Sequence, residues 1–501
     1  MSIATVHCRA LLGVEAPAVS VEVHIAPGLP SLTIVGLPEA AVRESKERVR
    51  SAIQTSQLEF PLGRITINLA PADLPKSGGR YDLAIALGIL AASGQLPVES
   101  LHPVECIGEL ALNGAIRPVP GALIAARASR DDGRALILPV DNAPRASLVQ
   151  HARLFPAPDL LSVCAHLQGM SLLESFSSRP ADVELPQYPD LLDVKGQPQA
   201  KRALQVMASG GHNALLFGPP GTGKTLLASR VPGLLPPLAE KEALEVAAVE
   251  SLQSSFLEEN GWPARPFRSP HHSASAAALV GGGSDPKPGD ISLAHQGVLF
   301  LDELPEFDRK VLEVMREPLE SGHITLSRAR AKVTFPARFQ LIAAMNPCPC
   351  GYQGDKSGRC QCTPDQVRRY RHKLSGPLLD RIDLHIQVHT PDWEALRNSQ
   401  REGPSSAEVQ AAVSQCRRRQ LERQGCLNAH LSGEALDRFC DVDEKTSSTL
   451  RQAVEKLGLS ARAYHRILRV SRTLADMQEQ ESIQLPHVLE ALSYRQLDRP
   501  V

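Results

Sequence analysis

The sequence is poor in aromatic residues, has almost no net charge, and contains no apolar run long enough to cross a bilayer. Aromatic side chains make up 4% of its 501 residues, and the formal net charge is −1. No global basic field therefore indicates nucleic acid, so a site for nucleic acid must be local. The N-terminus lacks the basic start and apolar stretch of a signal peptide, so a cytoplasmic protein without membrane contact is expected.

The remaining composition is typical of a globular α/β protein, with 43% apolar and 22% charged residues. The chain length predicts two or three domains. A segment rich in proline, serine and acidic residues at 175–192 predicts a linker. We therefore expect an N-terminal domain at 1–174, a core domain at 193–390, and a helical domain at 391–501, where the periodicity becomes helical.

The most informative motif is a glycine-rich loop. It follows an apolar run of strand type at 214–217 and precedes a predicted helix. Backbone N–H groups in such a loop face a phosphate chain. Lys224 would reach the β- and γ-phosphates, and the Thr225 hydroxyl would hold Mg²⁺. The members that match G-x-x-x-x-G-K-[ST] are Gly218, Pro219, Pro220, Gly221, Thr222, Gly223, Lys224 and Thr225.

A second motif lies downstream, where the apolar run 298–301 ends in Asp302 and Glu303. Such a run predicts a buried parallel strand, and ligands bind at the carboxyl ends of these strands. Asp302 is predicted to lie on the Mg²⁺ side, and Glu303 to polarise the attacking water. Together the two motifs predict hydrolysis of ATP with Mg²⁺.

Three strings resemble the magnesium-chelatase-like AAA+ proteins of the ComM type: RPFRSPHHSASAAALVGGG, PGDISLAHQGVLFLDELPEF and FPARFQLIAAMNPCPCG. The resemblance covers essentially the whole chain. It implies a Lon-protease-like α+β N-terminal domain, an AAA+ P-loop core with a parallel sheet, and a C-terminal helical lid. It also implies a hexameric branch-migration helicase that acts on single-stranded or branched DNA in natural transformation, with recombination proteins as candidate partners.

The same resemblance implies roles for single residues. Asn346 would be the sensor 1 residue that orients water near the γ-phosphate. Arg381 would be an arginine finger that reaches the γ-phosphate of a neighbouring subunit. Arg462 would be the sensor 2 arginine, with Arg466 one helical turn further on as the alternative. Residues 193–197 resemble the adenine-side box.

The N-terminal domain is expected to lack peptidase activity. By alignment with Lon peptidases, Arg80 stands where the catalytic serine would be, and Leu123 stands where the lysine would be. Lon catalysis needs a serine activated by a lysine, so both groups are missing. The remaining alternative is Ser77 beside Lys76, although adjacent residues rarely present such a pair productively.

Residues 323–335 predict a hairpin with a basic tip, which the resemblance places in a ring pore. A charged edge hairpin that prevents aggregation is the alternative. Residues 278–290 resemble a pore insert, whose glycines predict a mobile loop. The arginines at 417–419 are interpreted as a solvated helix face. The candidate DNA contacts are Arg328, Arg330, Lys332 and Lys287.

Ten cysteines in a cytoplasmic protein favour thiols or metal ligands over disulfides. Four of them form two C-x-C pairs separated by nine residues, three of which are glycine. This spacing predicts a structural Zn²⁺ site, with reduced free thiols as the alternative. The four are Cys348, Cys350, Cys360 and Cys362.

Three other functions compete with the DNA motor. They are a magnesium-chelatase-type ATPase subunit that remodels a protein complex, an ATP-dependent peptidase, and an ATP-gated DNA-binding scaffold. The Lon-like N-terminus disfavours the first, and Arg80 with Leu123 disfavours the second. Stimulation of ATP turnover by DNA distinguishes a motor from a scaffold.

Overall fold

The computed structural model describes residues 2–177, 187–252, 264–283, 286–327, 332–354, 358–390, 403–495 and 497. Among these residues, every helix falls short of the length and hydrophobicity that crossing a bilayer requires. Three units follow one another along the chain: an N-terminal unit (2–177), a core unit (187–390) and a C-terminal helical unit (403–497).

The N-terminal unit contains a mixed sheet of seven strands, in the order β3–β4–β2–β1–β5–β8–β9. The strands of this unit are β1 (Ser2–Arg9), β2 (Ala18–Ala26), β3 (Ser31–Val35), β4 (Arg64–Ala70), β5 (Val104–Cys106), β6 (Glu109–Leu110), β7 (Ile116–Arg117), β8 (Ala135–Pro139) and β9 (Leu154–Ala157), of which β6 and β7 form a separate antiparallel pair. Its helices are α1 (Ala40–Thr55), α2 (Asp82–Ala92), α3 (Ala122–Asp131), α4 (Ala143–Ala146) and α5 (Leu160–Leu167). Helix α2 is buried along its whole length because nearly all its side chains are apolar or small.

The two positions aligned with a peptidase dyad are both buried in this unit. Arg80 is 3% exposed, and its guanidinium donates to the carbonyl of Pro120, close to the start of α3. Leu123 is 2% exposed on α3. Lys76, from the alternative pair, is buried and donates to the carbonyl of Pro71. Its burial lowers the pKa of the Lys76 ammonium.

The core unit contains a parallel sheet of five strands, in the order β11–β14–β17–β10–β18. The strands of this unit are β10 (Ala214–Phe217), β11 (Phe267–Arg268), β12 (Gly281–Gly282), β13 (Lys287–Pro288), β14 (Val298–Leu301), β15 (His323–Ser327), β16 (Lys332–Pro336), β17 (Gln340–Met345) and β18 (Leu384–Gln387), of which β12 with β13 and β15 with β16 form two separate antiparallel pairs. Its helices are α6 (Pro198–Gly210), α7 (Lys224–Leu234), α8 (Glu240–Glu250), α9 (Ala276–Val280), α10 (Asp290–Leu293), α11 (Arg309–Val314), α12 (Arg316–Ser321), α13 (Pro364–Arg371) and α14 (Gly376–Leu379). The strands predicted at 214–217 and 298–301 are confirmed.

The C-terminal unit is helical, as predicted. Its helices are α15 (Ser406–Gln424), α16 (Gly433–Phe439), α17 (Glu444–Leu457), α18 (Ala461–Met477) and α19 (Leu485–Ser493). Within the predicted helical domain, residues 447–478 are divided between two helices, because Gly458 adopts a left-handed conformation with φ +61°. Ser460 then caps α18 by accepting a hydrogen bond from the N–H of Ala463 at 3.2 Å.

The interpretation of 417–419 as a solvated face is wrong for Arg417 and Arg419. Arg417 donates to the carbonyl of Ala208 on α6 at 2.7 Å, and burial lowers its pKa to about 9. Arg419 donates to the carbonyl of Asp476 at 2.8 Å. A run of charge on a helix does not show which side a neighbouring helix covers, so the sequence pattern missed these contacts.

The N-terminal unit packs directly against the basic hairpin, the antiparallel pair β15 and β16. The turn at 12–15 lies on β16, and Leu12 and Val14 pack into the core that contains Val333 and Phe335. Gly13 in this turn has φ +59°, and a Cβ placed there would lie 2.5 Å from Cγ1 of Val333. A glycine is therefore required for this close approach.

We predict that Gly13→Ala weakens this contact. A left-handed alanine costs about 1–2 kcal/mol, and the overlap with Val333 adds a further cost of about 1–3 kcal/mol. Gly133→Ala is the matched control, because Gly133 also has a positive φ (+69°) but has nothing within 4 Å of an added Cβ. The thermal unfolding midpoint of Gly13→Ala should lie at least about 2 °C below that of Gly133→Ala. Equal midpoints would contradict the prediction.

Candidate active site

The glycine-rich loop joins β10 to α7 at the carboxyl edge of the core sheet, where its parallel strands end. Helix α7 begins at Lys224, after Gly223 with φ +88°. The ammonium of Lys224 donates to the carbonyl of Gly218 at 2.8 Å and to that of Pro219 at 2.9 Å. Burial lowers the pKa of Lys224, whereas the charges of Asp302 and Glu303 act in the opposite direction and raise this pKa. The loop thus holds a partly desolvated cation at a helix N-terminus, a favourable site for an anion.

Asp302 directly follows β14, which lies two strands away from β10 in the sheet. Its side chain faces the start of α7. Its Oδ2 accepts a hydrogen bond from the Thr225 hydroxyl at 2.8 Å, and its Oδ1 accepts one from the N–H of Glu303 at 2.9 Å. A hydroxyl and a carboxylate this close supply the oxygen ligands that Mg²⁺ prefers, beside the phosphate loop. The chemistry of the two side chains therefore fits a magnesium–phosphate site.

Asn346 follows β17, the strand between β10 and β14. Its Oδ1 accepts a hydrogen bond from Nζ of Lys224 at 3.2 Å. Gln197, in the segment that resembles the adenine-side box, donates to the carbonyl of Thr222 at 3.3 Å and to that of His389. The structure therefore brings side chains from four separate stretches of the chain to one edge of the sheet.

Glu303 has a partner that the sequence patterns did not reveal. Its Oε2 lies 3.3 Å from Nδ1 of His272, and the rings of His271 and His272 lie 4.1 Å apart. Glu303 itself has a left-handed backbone with φ +52°, which is unusual for a glutamate and occurs often at functional sites. The signal for this pair is the strand order. His272 closely follows β11, and β11 pairs with β14, the strand that ends just before Asp302 and Glu303.

The predicted arginines lie at the opposite, amino edge of the sheet. Asn213, Gly297 and Gln340 directly precede or begin β10, β14 and β17, and they line a cavity of about 760 Å³ at that edge. Seven arginines also line the cavity: Arg265, Arg338, Arg381, Arg417, Arg462, Arg466 and Arg469. A four-residue strand spans about 13 Å, and this length of sheet lies between the cavity and the phosphate loop of the same chain.

Arg466 and Arg462 have different surroundings on α18. Arg466 forms an ion pair with Asp383, which is almost fully buried beside β18. Burial alone would raise the pKa of Asp383, but the charge of Arg466 and the ring of His212, whose Nδ1 lies 3.6 Å from the Asp383 carboxylate, hold it well below its usual range. Arg462 is exposed and has no hydrogen-bonded partner among the described residues. Arg462 is therefore the freer of the two candidates for sensor 2.

The four cysteines come together directly after Asn346. All four sulfur atoms lie within 4.8 Å of one another, and Cys348 lies 3.3 Å from Cys350 and 3.8 Å from Cys360. Sulfurs in a tetrahedral zinc site with Zn–S bonds of about 2.3 Å are about 3.8 Å apart, so the cluster fits such an ion. A Cβ added to Gly351 would lie 2.9 Å from Pro220, so this loop touches the phosphate loop.

The basic hairpin is confirmed as an antiparallel pair with exposed Lys332 at the start of β16. Arg328 and Arg330 lie outside the described residues. The insert was predicted as a mobile loop, but β12 and β13 form an antiparallel ribbon that carries exposed Lys287. Its glycines permit close packing instead: a Cβ added to Gly281 would clash with the carbonyl of Lys287 and approach Leu326 of the hairpin to 3.3 Å.

Known families match this chain in three stretches. The family described as subunit ChlI of Mg-chelatase matches residues 21–142, magnesium chelatase subunit ChlI matches 190–396, and the ChlI C-terminal family matches 403–495.

Two of the similar proteins extend over the whole chain. "Uncharacterized protein YifB" of Salmonella typhimurium is 53% identical, and "Competence protein ComM" of Haemophilus influenzae is 51% identical. In both cases the similarity covers 100% of this chain and 98% of the relative. "Magnesium-chelatase subunit ChlI" of Anabaena variabilis is 29% identical over 22% of this chain and 26% of its own length.

Proposed function

This chain belongs to the magnesium-chelatase-like family that includes ComM and YifB, and from that membership we propose that it is an ATPase whose turnover drives movement along DNA. The observation that carries the proposal is the convergence of Lys224, Asn346 and the Thr225–Asp302 pair at one edge of a parallel sheet. Lys224 neutralises the β- and γ-phosphates of ATP, and Thr225 with Asp302 holds Mg²⁺. The loop from Gly218 to Gly223 wraps the phosphates with its N–H groups.

The hydrolytic step uses a water molecule oriented beside the γ-phosphate. Glu303 accepts a proton from this water, and Asn346 positions it. His272 lies within contact of the Glu303 carboxylate and so fixes its direction before ATP binds. The positive φ of Glu303 supports this role, because such strain persists only where the surroundings enforce it.

Arg381 and Arg462 act on the ATP of a neighbouring protomer. Their place at the amino edge, across the sheet from the phosphate loop of their own chain, supports this assignment. A head-to-tail arrangement of that kind repeats from copy to copy and closes as a ring, and the family resemblance implies a hexamer. Guanidinium groups at the interface stabilise the charge that develops on the transferred phosphoryl group.

DNA is the favoured substrate of the motor. The basic hairpin and the ribbon with Lys287 are adjacent, and in a ring their copies form a basic collar for a phosphate backbone. The relative from Haemophilus influenzae is named a competence protein, which supports a role in natural transformation. The chelatase subunit aligns over only 22% of this chain, which disfavours the chelatase alternative.

We predict that Glu303→Gln binds ATP with little change in affinity but lowers kcat by about 10²–10⁴-fold, the usual contribution of a general base. Lys224→Ala should abolish nucleotide binding, because the phosphates lose their main counter-charge. Glu306→Gln is the matched control, since Glu306 lies close by but pairs with Lys373 at 3.1 Å. Phosphate release measures kcat, and equilibrium ATP binding measures the affinity of each variant for ATP. Parental turnover in Glu303→Gln would reject the base assignment.

The test of the DNA motor compares ATP turnover with single-stranded, duplex and branched DNA. We expect stimulation in the parent, and at least about tenfold weaker DNA binding when Arg328, Arg330 and Lys332 are changed together to alanine. The control changes Lys445, Arg451 and Lys456, three exposed cations on α17, and should leave DNA binding unchanged. A parent that hydrolyses ATP equally with and without DNA would contradict the proposal.

We further propose that the four cysteines hold a structural Zn²⁺ that braces the loop against Pro220. Purified protein should contain about one zinc per chain by elemental analysis. Cys350→Ser combined with Cys360→Ser should remove the zinc and slow ATP turnover, whereas Cys426→Ser, outside the cluster, should change neither. Far less than one zinc per chain in protein prepared without chelators would contradict this site.

A further inference from the structure

Arg381 does not present a free guanidinium in the single protomer. Its Nη2 forms an ion pair with Glu320, its Nη1 donates to the carbonyl of Pro377, and its side chain is 7% exposed. Its Nε is buried and has no partner among the described residues. An arginine that stabilises charge on a neighbouring phosphate needs its N–H groups for that phosphate. The observed contacts therefore hold this arginine in a withdrawn position.

Glu320 connects Arg381 to the basic hairpin. It lies in the last turn of α12, two residues before Gly322, where the helix ends with φ +71°. Strand β15 begins at the next residue, and the N–H of Ala337 donates to the carbonyl of Gly322 at 2.8 Å, which closes the base of the hairpin. A shift of the hairpin base therefore moves the end of α12 that carries Glu320.

Apolar packing joins the same three segments. Met315 before α12, Phe335 of the hairpin, and Leu378 and Ile382 on either side of Arg381 belong to one buried cluster. Such cores are close-packed and transmit displacement between elements. The hairpin, α12 and the Arg381 segment are thus mechanically connected, and among the described residues Glu320 supplies the one charged contact that holds Arg381.

We propose that Glu320 is a positioning residue that keeps Arg381 away from the neighbouring nucleotide until the hairpin is loaded with DNA. This inference rests on the proposed function, because it assigns the event that releases Arg381. Glu320 is 61% exposed, and a partly exposed ion pair contributes up to about 1 kcal/mol. A contact of this strength is weak enough for hairpin movement to break.

The experiment measures ATP turnover of the full-length protein with and without single-stranded DNA for the parent and Glu320→Ala. Loss of the contact should raise DNA-free turnover by about threefold to fivefold, the rate equivalent of up to about 1 kcal/mol, and leave the DNA-stimulated rate unchanged. Glu317→Ala is the matched control, because Glu317 is exposed on the same helix and has no hydrogen-bonded partner for its side chain among the described residues. Sedimentation velocity checks that the parent and the two variants assemble to the same extent.

The alternative is that Glu320 holds Arg381 in its productive position. In that case Glu320→Ala should lower turnover with and without DNA, which would overturn the proposal, as would unchanged DNA-free turnover. Combining Glu320→Ala with Arg381→Ala should remove the gain, because no arginine is left to release. If DNA fails to stimulate the parent, the proposed function fails, whereas a threefold gain in Glu320→Ala still supports release of Arg381 by loss of this contact.

Discussion

The direction of the strands in the core sheet sets the most important constraint on this protein. Because all five strands are parallel, every carboxyl end lies at one edge and every amino end at the other. Lys224, Asp302 and Asn346 follow strand ends, so they meet at the carboxyl edge. Arg381 precedes β18 and therefore lies at the amino edge. The four-residue strands β10, β14 and β18 are about 13 Å long, and this length separates the two groups within one chain. The arginine assignments and the proposed ring both depend on this separation.

The polar groups of the candidate site are already paired within the single chain. Lys224 donates to the carbonyls of its own loop, the Thr225 hydroxyl donates to Asp302, and Glu303 contacts His272. Of these groups Lys224 is buried, and a buried polar group without a partner costs about 1–3 kcal/mol, so its contacts stabilise the chain without ligand. Nucleotide binding then exchanges one set of partners for another. Such an exchange is close to balanced, which suits a site that must bind and release its ligand in every cycle.

Local patterns predicted the parts of the fold that depend on neighbouring residues. Strands β10 and β14 and the antiparallel hairpin are confirmed, because each is encoded in one short run of neighbouring residues. The pairs His272–Glu303 and Arg381–Glu320 escaped prediction for the opposite reason. Their members are far apart in sequence, and only the order of the strands or the path of α12 brings them together. The buried contacts of Arg417 escaped for a related reason, because a helix sequence shows its charges but not the neighbour that covers them.

The N-terminal unit limits how the hairpin can move. Its turn at 12–15 packs on Val333 and Phe335, and Ala247 and Ala248 of α8 lie in its own core. The hairpin base is thus held by α12 on one side and by the N-terminal unit on the other. A displacement of the hairpin must either carry this unit along or expose the apolar contact at Gly13 to water. Carrying it along keeps the buried area, so it is the less costly motion. With Arg80 and Leu123 buried where a dyad would be, this mechanical connection is the contribution of the N-terminal unit that the packing supports.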